Sequence, residues 1–67
     1  RKISMQELHA AISSLPDKQA KRVYAHFILD MSQTDIAKAE GVSKMAVSYS
    51  IERALKSMEK YLKNSLD

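Results

Sequence analysis

Histidine is the side chain best suited to proton transfer or metal binding near neutral pH, and this 67-residue chain contains two, His9 and His26. They fall on different predicted helices, and the chain has no cysteine and no second histidine at metal-ligand spacing. It also has no glycine-rich phosphate loop and no nucleophile–base pair suggested by spacing. The sequence therefore predicts no enzyme, no metal site and no cofactor.

A different set of side chains suits recognition of nucleic-acid bases. Lys44 can donate to guanine acceptors, and Met45 and Tyr49 can pack against thymine methyl groups, if all three project from one end of a helix. Arg53 and Lys56 follow on the same helix and carry the charge that phosphates attract. The same residues would equally form a solvated basic face, so the elements that position them decide between the two interpretations.

The segment from Ser32 to Tyr49 predicts two helices around one sharp turn. Ile36 and Ala37 begin an apolar stripe, and Ala37 is small enough for two helices to approach closely there. Gly41, the only glycine, falls where a helix must end in a left-handed conformation. Ser43 can then cap the next helix. This is a helix-turn-helix pattern, which leaves one face of the second helix free to enter a DNA major groove.

The first half of the chain predicts two further helices. Ser4 and Glu7 have the spacing of a capping box, so helix one should run from there to about Ser14. Pro16 suits the first turn of helix two, which should extend to about Leu29. Within helix two, the apolar residues Val23, Phe27 and Ile28 repeat at helical spacing.

The last helix is predicted to be long, since no glycine or proline follows Gly41. Its inner face should consist of Val47, Ile51, Ala54, Met58 and Leu62, which recur every three or four residues. Its outer face should be polar and mostly basic, with Met45, Tyr49, Glu52, Arg53, Lys56, Lys60 and Lys63.

Composition agrees with one small all-α domain spanning residues 1–67. The formal charge of +3 and the pI near 9.3 permit binding to nucleic acid without requiring it. Without cysteine there is no disulfide framework, and no apolar run approaches membrane-spanning length, so we expect a soluble cytoplasmic protein with no membrane partner and no small-molecule substrate. Arg1 in place of an initiator methionine suggests a piece of a longer protein.

The chain from Leu15 to Leu62 resembles region 4 of bacterial sigma factors, the domain that recognises the promoter −35 element. The matching features are Leu15-Pro16, the helix end before Met31-Ser32, Asp35-Ile36-Ala37, Gly41-Val42-Ser43, Ile51 and Ala54-Leu55. The resemblance is closest to alternative sigma factors and to sigma-like regulators of conjugative transposons and phages.

The resemblance implies a four-helix, all-α domain that places helix four in the major groove of double-stranded DNA and contacts the β-subunit flap of the RNA polymerase core. The positions where that family contacts bases are occupied here by Lys44, Met45, Ser48 and Tyr49. The positions where it contacts phosphates are occupied by Ser32, Gln33 and Ser43, to which the cations Arg53 and Lys56 add. Two features depart from the family pattern: Glu40 occupies a position that is usually apolar, and Lys44 is the only cation at the base-contacting positions.

Two alternatives fit the same pattern. The first is a free-standing regulator similar to the C-terminal domains of quorum-sensing and response-regulator activators, although those usually carry an acidic residue where this chain has Arg22. The second is a helical protein-interaction module, such as an RNA polymerase docking domain or a phage adaptor, with weak or no DNA binding.

Overall fold

The computed structural model describes residues 2–64, and within that range it contains four α-helices and no strand. The helices are α1 (Met5–Ser13), α2 (Asp17–Val23), α3 (Gln33–Glu40) and α4 (Lys44–Asn64). A π-helical segment, Tyr24–Ile28, continues α2 without a break. The predicted all-α class and the four predicted helices are confirmed, while Arg1 and residues 65–67 of the predicted domain lie outside the described range.

A side-chain cap begins α1 where the sequence predicted it. At α1 the Ser4 hydroxyl accepts from the Glu7 amide at 3.1 Å, and the Glu7 carboxylate accepts from the Ser4 amide at 3.4 Å. This reciprocal pair is the predicted capping box, which satisfies two amides that have no partner within the helix.

Glycine ends α3 as predicted. Gly41 has a φ of 71°, and its amide donates to the Lys38 carbonyl while the Val42 amide donates to the Ala37 carbonyl at 3.0 Å. This bonding pattern is a Schellman motif, which turns the chain sharply and satisfies carbonyls at the helix end. The turn that separates α3 from α4 is therefore specified by one residue type at one position.

The π-helical segment changes what the second helix buries. Its turn is widened, as the Leu29 amide donates to the carbonyl of Tyr24 five residues earlier. Val23 remains 1% exposed and Ile28 packs partly against the core, but Phe27 is 51% exposed. Regular helical spacing had grouped Phe27 with these two residues, and the wider turn moves it to the surface.

The core consists of two clusters that α4 connects. The first contains Ala11, Ile12, Leu15, Val23, Ala54 and Met58, and it joins α1 and α2 to the second half of α4. The second contains Ile36, Ala37, Val47 and Ile51, and it joins α3 to the first half of α4. The predicted inner face of α4 is thus confirmed, with Leu62 partly buried at its end. The second cluster fixes the helix-turn-helix.

Candidate nucleic-acid interface

The packing of α3 on α4 decides which side of α4 is free. Ile36 and Ala37 of α3 meet Val47 and Ile51 of α4, and none of the four is more than 5% exposed. Ala37 lies in this contact, as expected for a small residue where two helices approach closely. The opposite side of the first turns of α4 consequently faces solvent.

Two of the predicted base-contacting residues, Met45 and Tyr49, lie together on this free side. Lys44 begins α4 and is exposed, Met45 is 82% exposed and Tyr49 is 62% exposed. Met45 and Tyr49 are four residues apart and therefore neighbours on the helix surface. Both side chains are of a type that packs on thymine methyl groups.

Arg53 extends the same face by one turn. Its guanidinium lies 5.7 Å from the centroid of the Tyr49 ring, within the range of a cation–π contact. Lys56 is exposed further along the helix, as are Lys60 and Lys63. Basic side chains therefore follow the exposed aromatic ring along α4, as predicted for its outer face.

Two of the predicted phosphate-contacting residues, Ser32 and Ser43, are the caps of α3 and α4. The Ser32 hydroxyl accepts from the Asp35 amide at 3.0 Å, and the Ser43 hydroxyl accepts from the Ala46 amide at 3.1 Å. A hydroxyl that accepts one bond still has its own hydrogen to donate. The caps therefore leave both serines able to donate to a phosphate oxygen.

The other two residues predicted to contact DNA, Ser48 and Gln33, are joined by a hydrogen bond. The Ser48 hydroxyl donates to Oε1 of Gln33, and both residues are half-buried. Sequence reasoning assigned them to separate contacts, one to a base and one to a phosphate. No pattern along the chain signals this bond, because it depends on how α3 is rotated against α4.

An ion pair between Arg22 of α2 and Glu40 of α3 also escaped sequence reasoning. Arg22 Nη2 lies 2.8 Å from Oε1 of Glu40, and Arg22 Nε lies 3.0 Å from Oε2. Hydrogen bonding from Arg22 lowers the pKa of the Glu40 carboxyl against an opposing effect of burial, and the charges of Arg22, Lys18 and Lys21 lower it further. The signal in the sequence was only the opposite charge of these two residues, which are 18 positions apart.

The two histidines have structural contacts. His26 Nδ1 lies 2.8 Å from the Met31 carbonyl and so ties the π-helical segment to the turn before α3. The His9 ring lies 6.1 Å from that of Tyr24. Among residues 2–64, no group of three or more histidine, cysteine or acidic side chains could hold a metal ion.

The capped α3–turn–α4 pair, with a long second helix that exposes one face, defines a helix-turn-helix domain. A family model, described as sigma-70, region 4, matches residues 5–58. The chain therefore belongs to the sigma-70 region 4 family, the DNA-binding helix-turn-helix domains of transcription initiation, which is not a family of enzymes. The resemblance seen in the sequence is thus confirmed, and the family implies interaction with DNA and with RNA polymerase.

Comparison with the curated proteins and with the solved structures gave no match. Over residues 2–64, no helix combines the length and the apolar character needed to cross a membrane.

Proposed function

We propose that this chain is the sequence-specific DNA-binding domain of a sigma-factor-like transcription regulator, and that it recognises a promoter −35-type element through α4. The observation that carries the proposal is the exposed pair Met45 and Tyr49 at the start of α4, beside Lys44. In a helix-turn-helix, the N-terminal residues of the second helix are the ones that reach base edges.

Roles follow from the chemistry of each side chain. Lys44 donates to guanine acceptors, while Met45 and Tyr49 pack on thymine methyl groups. Ser32, Gln33 and Ser43 donate to phosphates from the starts of the two helices, and Arg53 and Lys56 add charge along the backbone. With one cation among the base-contacting residues, the preferred site should contain thymines at the positions that Met45 and Tyr49 contact.

Selection from a randomised duplex library tests this proposal. The folded domain should enrich one sequence and bind it more tightly than random DNA in a fluorescence anisotropy titration. The enriched sequence should also occur at the −35 position of promoters in the source genome. If no duplex binds at low salt while circular dichroism shows a folded helical protein, the proposal is wrong and the interaction-module alternative is favoured.

Contact with the β-subunit flap of RNA polymerase core is the second part of the proposal. Two adjacent apolar grooves support it. One, of about 430 Å³, is lined by residues of α1, α2 and the π-helical segment that include Ile12, Ala20 and Tyr24, and by the exposed Leu29 that follows the segment. The other, of about 360 Å³, lies between α2 and α3. None of the residues assigned to DNA lines either groove, so DNA and polymerase can be bound together.

A binding measurement with a purified flap fragment tests this second part. Leu29→Asp should weaken the complex at least tenfold, because it places a charge in the apolar groove, and should leave DNA affinity unchanged. Ile3→Asp is the control, since Ile3 is an exposed apolar residue that lines neither groove. Equal effects of the two substitutions would contradict docking at this groove.

A further inference from the structure

The hydrogen bond between Ser48 and Gln33 links the two helices of the helix-turn-helix. Gln33 is the first residue of α3, and Ser48 lies in the second turn of α4. The bond joins residues 15 positions apart in the chain, so it forms only when α3 and α4 are packed together. Both of its partners are residues that the family resemblance assigns to DNA.

In this bond the Gln33 carboxamide offers Oε1 to Ser48, which leaves Nε2 for a ligand. The terminal torsion of a glutamine is broad, so a free side chain offers its oxygen and its nitrogen about equally. The two ends differ chemically, because Oε1 only accepts hydrogen bonds whereas Nε2 donates two. With Oε1 bound to the Ser48 hydroxyl, the Nε2 hydrogens are directed away from Ser48.

A DNA phosphate binds the nitrogen end of the Gln33 carboxamide and not the oxygen end. Its oxygens carry negative charge, so they attract N–H donors and repel the amide oxygen. A glutamine held with its nitrogen outward needs no reorientation to donate to a phosphate, whereas a free glutamine must first lose rotational freedom. By holding Oε1 of Gln33, the Ser48 hydroxyl therefore strengthens the contact between Gln33 and the phosphate. Ser48 itself does not touch the phosphate.

We propose that Ser48 is a positioning residue, whose hydroxyl orients Gln33 so that Nε2 donates to a DNA phosphate. This inference rests on the proposed function and deepens it. Ser48 and Gln33 then form one unit that anchors the start of α3 on the backbone, and base recognition falls to Lys44, Met45 and Tyr49.

A double-mutant cycle measured on DNA tests the proposal. Gln33→Ala removes the phosphate contact and should weaken binding about tenfold, near the size expected for a hydrogen bond to a charged group. Ser48→Ala removes only the orientation of Gln33 and should weaken binding about two- to tenfold. Both should act equally on the selected sequence and on random DNA, because a phosphate contact carries no sequence information. The double variant should lose no more than Gln33→Ala alone, since Ser48 acts on the phosphate contact only through Gln33.

Matched variants separate positioning from general damage to the fold. Ser48→Thr keeps the hydroxyl and should restore most of the affinity, while Gln33→Glu keeps the acceptor for Ser48 but should weaken binding further by placing a carboxylate near phosphate. Ser57→Ala is the control, because Ser57 is an exposed serine further along α4 and on the side of the helix opposite Ser48. Every variant should remain folded at the temperature of the titration, which thermal unfolding followed by circular dichroism checks.

Three results would overturn the inference. Additive losses in the double variant would show that the two residues act independently, and a loss for Ser48→Ala confined to the selected sequence would make Ser48 a base contact. Affinity losses that follow the losses in melting temperature would make the bond purely structural. Absence of DNA binding by the wild type is a different outcome, because it contradicts the proposed function itself.

Discussion

Arg22 of α2 and Glu40, the last residue of α3, form a bidentate ion pair that joins the helices on either side of the π-helical segment. The Arg22 side chain is 11% exposed and that of Glu40 is 33% exposed, so the pair is partly shielded from water. A carboxylate at a helix C-terminus opposes the helix dipole, and the guanidinium offsets that cost. The pair thus explains how a carboxylate is accommodated at the last residue of α3.

We expect removal of either partner to destabilise the protein. Arg22→Ala and Glu40→Ala should each lower the free energy of unfolding by about 1 kcal/mol, with a coupling of similar size in the double variant. The exchanged pair, Arg22→Glu with Glu40→Arg, should recover most of the loss, because it keeps the attraction and places a cation at the C-terminus of α3. Urea unfolding followed by circular dichroism measures all four variants, and a coupling near zero would contradict a stabilising pair.

The lowered pKa of Glu40 gives the ion pair a pH dependence with a defined sign. A carboxyl whose pKa is lower in the folded chain contributes stability fully above the unfolded value of about 4.3, and loses it as pH falls through the folded value. The stability difference between wild type and Glu40→Gln should therefore shrink on acidification below about pH 4.3. Glu59→Gln, which removes an exposed carboxylate paired with Lys63, controls for the change in net charge. A difference that does not change with pH would rule out the charge of Glu40 as its source.

Gly41 and Asp30, which both have positive φ, should respond to substitution in opposite directions. Gly41 has a φ of 71°, and an added Cβ would meet nothing within 4 Å, so the cost of Gly41→Val comes from backbone strain. We expect it to lower stability by about 1–3 kcal/mol. Asp30 has a φ of 58°, so Asp30→Gly should raise stability by about 0.5 kcal/mol. Unfolding midpoints measure both, and changes of the same sign would show that backbone strain does not control stability at these two turns.

Neighbouring residues of α4 should separate stability from DNA affinity. Ile51 is 3% exposed, so Ile51→Ala should cost about 2–4 kcal/mol of stability while the remaining folded protein still binds DNA. Lys44→Ala and Tyr49→Ala should leave the melting temperature nearly unchanged and cost about 1–3 kcal/mol in affinity for the selected sequence, with a smaller loss on random DNA. Equal losses on both DNAs would make these residues phosphate contacts.

Contact between Met45 and a thymine methyl group can be tested on the DNA itself. Replacing the contacted thymine with deoxyuridine removes only the methyl group and should cost about 0.8 kcal/mol of binding free energy in the wild type. The same replacement should have little effect on Met45→Ala, because the side chain that covers the methyl group is gone. A scan of each thymine in the selected sequence by anisotropy provides the measurement, and equal penalties in both proteins at every position would exclude the contact.

Salt should weaken DNA binding steeply but less than in strongly basic proteins. About 3–5 phosphate contacts predict a slope of about −3 to −4.5 in a plot of log affinity against log salt concentration. Arg53→Ala and Lys56→Ala should each make the slope shallower by about 0.9, whereas a neutral substitution such as Ser57→Ala should leave it unchanged. A slope that neither cation variant changes would place DNA on another face of the protein.

Local rules along the chain determined the fold class, the helix ends and the turn. A capping box at Ser4 and Glu7, and a left-handed glycine at Gly41, each depend on residues a few positions apart, so sequence spacing contains the needed information. The inner face of α4 was equally accessible, because Val47, Ile51, Ala54 and Met58 follow the helical period without interruption.

Other features depended on contacts between elements or on a local change of helical geometry. The π-helical turn exposes Phe27 although its spacing from Val23 suggests burial, since the widened turn breaks the period on which such reasoning relies. The ion pair between Arg22 and Glu40 and the bond between Ser48 and Gln33 join residues on different helices. Their partners were visible in the sequence, but which side chains meet depends on the rotation and crossing of packed helices. Helix packing sets the rotation and the crossing angle, and the spacing of residues along one helix gives no information about either.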